Sequence, residues 1–90
     1  MNLQDAMYNW LSIKVVADKR KTDQAAQDTS SFFEEILTED HGLTDIVIEL
    51  TPDYYVVKYQ KNDQLESKKF PIELIDALLL SIQNEPKYNQ

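Results

Sequence analysis

The chain of 90 residues has no cysteine, a single glycine, a single histidine and three prolines. Without cysteine there is no disulfide, no thiolate nucleophile and no cysteine-ligated zinc or iron–sulfur site. Small secreted domains commonly depend on disulfides, so their absence favours a reducing compartment. One glycine excludes glycine-rich phosphate loops and dinucleotide fingerprints. None of Ser12, Ser30, Ser31, Ser67 and Ser81 sits in a G-x-S-x-G nucleophile elbow. Long apolar runs are missing too. The longest apolar cluster, Leu74 to Ile82, is broken by Asp76 and Ser81 and is too short to span a bilayer. The start, MNLQDAMYNW, lacks the basic region and apolar run of a signal peptide. A cytoplasmic chain with no membrane association is the expectation. Sixteen acids against nine bases give a net charge of −7. Such a surface repels phosphate backbones and anionic lipid, so nucleic acid is not an expected partner.

What is present is enough apolar material for a core, 42% of the residues with nine aromatics among them. A single domain covering 1–90 is expected. The segment TDIVIELTPDYYVVKY, Thr44 to Tyr59, organises it. Ile46, Ile48 and Leu50 alternate with Val47 and Glu49, the period of a half-buried strand. Pro52 and Asp53 suit the two loop residues of a turn. That loop sets Leu50 opposite Tyr55, Ile48 opposite Val57 and Ile46 opposite Tyr59, gathering six apolar groups on one face. A slip of one residue would scatter them.

Residues 3–20 repeat apolar side chains at helical steps through Leu3, Met7, Trp10, Leu11 and Ala17. Asn2 is the expected N-cap, and Lys19, Arg20 and Lys21 suit the negative end of the dipole. A second helix over 23–40, capped by Thr22 or Asp23, carries Ala25, Ala26, Thr29, Phe32, Phe33, Ile36 and Leu37. Gly42 supplies the left-handed residue that ends it. A helix start at Ser31 is the alternative, from its capping-box spacing to Glu34.

Strands are expected at 44–50, 54–60 and 65–70. The register of the second hairpin is open; a three-residue loop would set Glu66 opposite Lys58. Pro71 suits the first position of a last helix over 71–84, ended by Asn84 and Pro86 before a loose tail from Lys87. Leu74, Ile75, Leu78, Leu79 and Ile82 form one broad apolar face, while Leu80 points away from it. The fold class is therefore α+β, a three-stranded antiparallel β-meander packed against helices in the order α-α-β-β-β-α. Ile46, Ile48, Leu50, Tyr55, Val57, Phe32, Phe33, Ile36, Trp10, Ile75 and Leu79 are the expected core.

No catalytic constellation emerges. His41 sits just before the helix-ending glycine, where a dipole partner is the ordinary role. Glu34, Glu35, Glu39 and Asp40 cluster at the same helix end, and Glu35 and Glu39 are one turn apart. Neither a calcium loop nor a zinc-binding helix pattern accompanies them. No catalytic residue, cofactor or metal ligand is expected. An enzyme would need a cleft uniting Tyr59, Lys58, Glu66 and His41. The preferred register instead places Tyr54, Val56 and Lys58 on the sheet face away from the apolar set. With Leu80 they are the candidate interaction surface, tyrosine being common at interfaces.

The run YNWLSIKVVADKRKTDQAAQDTSSFFEEIL, followed by HG, resembles small uncharacterised cytosolic proteins of Gram-positive, Bacillus-type bacteria. The resemblance covers about the first half of the chain, includes no catalytic motif and implies no activity. The function expected from the residues is a non-enzymatic protein-interaction or regulatory module, with a homodimer as one form of it. The alternative is an acidic inhibitor or immunity-type protein that blocks a basic, nucleic-acid-binding partner.

Overall fold

Two short polar side chains start the first two helices. In the computed structural model, which describes residues 1–84, Asn2 Oδ1 accepts from the Asp5 N–H at 2.8 Å and opens α1, Leu3–Lys19. Asp23 does the same for α2, Gln24–Glu35, accepting from Ala26 N–H at 3.1 Å. Arg20 Nε also donates to Asp23 at 3.2 Å. The Ala26 N–H and then the Arg20 guanidinium hold the Asp23 carboxyl below its ordinary pKa. Residues 24–30 are helical, so the start at Ser31 does not occur.

The second helix is not α-helical to its end. Ile36–Asp40 form a single π turn, in which His41 N–H reaches the Ile36 carbonyl. Leu43 N–H then bonds the Leu37 carbonyl at 3.0 Å across Gly42, whose φ is +69°. That is the left-handed exit expected of the only glycine.

Three antiparallel strands follow in the order β1 (Thr44–Leu50), β2 (Tyr54–Lys61), β3 (Gln64–Pro71), and then α3 (Ile72–Gln83). The chain is therefore α+β with the order α-α-β-β-β-α. In the first hairpin Leu50 pairs with Tyr55 and Ile48 with Val57. Beyond Val47 the register shifts, because Thr44 pairs with Gln60 and Val47 with Lys58. Asp45 and Ile46 thus share one partner position, a bulge at which Asp45 takes a φ of +52°. The second hairpin turns on Asn62 and Asp63, with φ of 54° and 64°. This two-residue turn with two left-handed residues matches the twist of the flanking strands. It pairs Glu66 with Tyr59 and Ser67 with Lys58, one step from the three-residue-loop alternative. Pro71 is the residue before α3, paired with Tyr54, so the helix begins at Ile72. The expected stop at Pro86 and the tail from Lys87 lie outside the described residues.

Among the described residues all helical packing falls on one sheet face. Met7, Trp10 and Leu11 of α1, Leu37 of the π turn, Leu43 just before β1 and Ile75 of α3 close over Val57, Tyr59 and Phe70. A second cluster joins Val16 and Ala17 to Ala26 and Leu79. The molecule is 21 Å across its shortest axis, which suits two layers of about 10 Å each.

Two expected core residues are not in the core. Leu50 is 68% exposed, because it lies on the outer strand at the hairpin tip while α3 packs over β2 and β3. Phe32 is 58% exposed. The face of α2 turned to α1 carries Ala26, Phe33 and Leu37, and Phe32 lies about 100° round the helix from Phe33. Ile46, Ile48, Tyr55, Phe33 and Ile36 only partly bury themselves against the core. Leu74 and Leu78 are likewise exposed, so the broad face of α3 narrows to Ile75, Leu79 and part of Ile82.

Candidate interaction surfaces

Alternation along β2 decides the first surface. Tyr55, Val57 and Tyr59 face the helices, so Tyr54, Val56 and Lys58 face the other way. Tyr54 is exposed, Val56 half-buried and Lys58 exposed. Pairing adds Val47 and Glu49 from β1 and Leu65, Ser67 and Lys69 from β3 to the same face. Val47 at 55% and Leu65 at 74% exposure are its most open apolar side chains. Leu65 escaped the sequence reading because its face depends on the register of the second hairpin. The Asn62-Asp63 pair was the available signal.

The charges on this face are of both signs. Lys58 Nζ pairs with the Glu49 carboxylate, its diagonal neighbour across β1 and β2. Lys69 Nζ sits 5.4 Å from the centre of the Tyr54 ring, a cation–π contact. These contacts leave the Tyr54 ring half covered and the Val47 and Leu65 side chains open.

Leu80 does not belong to this surface. It lies on α3, which packs on the opposite sheet face through Ile75 and through the Tyr55–Asp76 hydrogen bond. Leu80 is 52% exposed on the outer side of that helix. The four residues singled out from the sequence therefore occupy two separate surfaces.

A third apolar surface runs along α2. Ala25, Thr29, Phe32 and Ile36 follow one another at i, i+4, i+7 and i+11, beside the stripe that packs on α1. Two open hollows border this stripe. One, of about 180 Å³, is walled by Ile13, Val16, Ala25, Thr29 and Ile82. The other, of about 250 Å³, is formed by Phe32, Glu35, Ile36, Glu39 and Asp40 at the π turn.

Of the groups an enzyme would have to unite, Tyr59 donates its hydroxyl to Glu66 at 3.4 Å. Burial, with the Glu66 carboxylate beside it, raises the Tyr59 pKa above the ordinary tyrosine value. Lys58 and Glu66 border an open hollow of about 190 Å³ with Leu65 and Ser67, and His41 does not reach it. Among the described residues no three His, Asp or Glu side chains are placed to hold a metal ion. Among them, too, no helix is long and apolar enough to cross a membrane. No protein-family model, curated protein or solved structure matches the chain.

Proposed function

We propose that this chain is a non-enzymatic protein-interaction or regulatory module of the cytoplasm, working as a homodimer joined through its open sheet face. One observation carries the reading: Val47, Tyr54 and Leu65 are exposed together on a sheet face that no helix covers among the described residues. A sheet face bearing large apolar groups is the kind of surface that proteins cover with a partner. Glu49, Lys58 and Lys69 lie among those groups, so a copy related by a two-fold axis can set the lysines of one chain against the glutamate of the other.

Light scattering of the purified chain from low micromolar to near-millimolar concentration tests this. The expected result is a dimer that Leu65→Asp and Tyr54→Asp convert to a monomer without loss of helical signal. A wild-type chain that stays monomeric over the whole range would sink the homodimer.

The second reading, an acidic inhibitor of a basic partner, has its own supporting observation. Between Lys21 and Lys58 the chain has nine acidic residues and no lysine or arginine. That stretch covers α2, the π turn, β1 and the first hairpin turn, while lysine and arginine among the described residues fall in α1 and the turn after it (Lys14, Lys19, Arg20, Lys21) and on β2 and β3 (Lys58, Lys61, Lys68, Lys69).

A further inference from the structure

We propose that the groove along α2 is a docking site for a basic amphipathic helix of another protein. This rests on the reading of the chain as an interaction module, and it is independent of the sheet face and of dimerisation.

The apolar part comes first. To pack on α1, α2 needs one stripe, and Ala26, Phe33 and Leu37 provide it. Ala25, Thr29, Phe32 and Ile36 make a second stripe, which spans about 16 Å of helix and leaves Phe32 58% exposed. A hollow lies along each half of that stripe, with Ile13 and Ile82 walling one and Ile36 the other. A row of hollows about three turns long suits anchors at i, i+4, i+7 and i+11 of a facing helix.

Charge selects the occupant. The hollow beside Phe32 is rimmed by Glu35, Glu39 and Asp40, none of which has an ion-pair partner among the described residues. The π turn contributes to this arrangement, because its wider winding shifts Glu39 and Asp40 round the axis to the lip of the hollow. A second copy using the same groove would set carboxylate against carboxylate. Phosphate backbones and anionic lipid meet the same repulsion. A helix with leucine-type anchors flanked by lysine or arginine answers both the apolar stripe and the acidic rim.

The test uses a fluorescein-labelled leucine–lysine peptide with leucines at i, i+4, i+7 and i+11, read by anisotropy against the full chain. Comparison peptides are a scrambled sequence of the same composition and a version with glutamate in place of lysine. The periodic peptide is expected to saturate at one per chain and to weaken as salt rises. Phe32→Ala should weaken it about tenfold, as loss of an aromatic anchor does. The double variant Glu35→Lys/Glu39→Lys should abolish it, and Tyr54→Ser on the sheet face should leave it unchanged. Circular dichroism of each variant establishes that it is folded. Equal binding of the scrambled peptide, or an unaltered affinity in folded Phe32→Ala, would overturn the proposal. The mass in solution of the same samples reports separately on dimerisation, so the groove and the homodimer can fail independently.

Discussion

The hydroxyl of Tyr55, in the middle strand, donates to Oδ1 of Asp76 on α3 across 2.8 Å. It bonds the sheet to a helix that follows it 21 positions later in the chain. Burial, and then the Asp76 carboxylate, push the Tyr55 pKa up to about 12. The proton is thus held more tightly in the folded chain than in the unfolded one, where tyrosine titrates near 10. Its stabilising effect is complete below pH 10 and is lost as the pH rises towards 12.

Tyr55→Phe is therefore expected to cost about 1 kcal/mol at neutral pH, the scale of a half-buried hydrogen bond to a carboxylate. The variant should also lose less stability than the wild type between pH 10 and 12. Tyr59, shifted in the same direction beside Glu66, keeps some of that loss in place. Urea unfolding at a series of alkaline pH values measures both effects. Equal alkaline loss in the two proteins would remove Tyr55 as its source.

Two phenylalanines should respond oppositely to truncation. Phe70 is 2% exposed in the main core, and Phe70→Ala is expected to cost about 3–5 kcal/mol. That approaches the whole stability of a small domain. Phe32 meets Phe33 edge-on at 5.4 Å but is otherwise open, so Phe32→Ala should cost less than about 1 kcal/mol. Thermal melts of the two variants make the comparison.

At the second hairpin, Asp63 holds a φ of 64° that glycine adopts without strain. Asp63→Gly turns the pair into Asn-Gly, the preferred sequence for this turn. A gain of about 0.5–1 kcal/mol is expected in chemical denaturation. A loss would mean that the Asp63 side chain supplies a stabilising contact of its own.

Ser12 is 6% exposed within α1, and its hydroxyl has no hydrogen-bond partner among the described residues. A buried hydroxyl without a partner costs stability, and alanine is the better helix former. Ser12→Ala should therefore raise the melting temperature, by roughly 4–8 °C for each kcal/mol gained in a chain of this size. A fall on calorimetry would show that the hydroxyl is bonded in solution.

The elements were legible because their signals are local. Asn2 and Asp23 cap helices, Gly42 takes a left-handed φ, and Pro52 with Asp53 sets Leu50 against Tyr55. Each of these is decided within a few residues by sterics or by one hydrogen bond. The bulge at Asp45 and the π turn were not legible in the same way. Both insert one residue into a regular pattern, and the apolar spacing around them fits the regular and the irregular form alike. The candidate surface was half legible. Alternation put Tyr54, Val56 and Lys58 on one face, but Leu65 awaited the register of the second hairpin and Leu80 proved to lie elsewhere.

By itself the sequence determined the order α-α-β-β-β-α and the apolar face of the first hairpin, since both follow from periodicity and turn chemistry near each residue. Only the tertiary structure decided which apolar stripe of each element is covered. α2 and α3 each carry more apolar face than one neighbour can bury, and among the described residues the sheet has helices on one side alone. Phe32 and Leu50 read as core from spacing, and Leu74 and Leu78 as part of the apolar face of α3, yet all four remain open. Burial is settled by where α1 lies relative to the other elements, a relation between distant parts of the chain that no local pattern encodes.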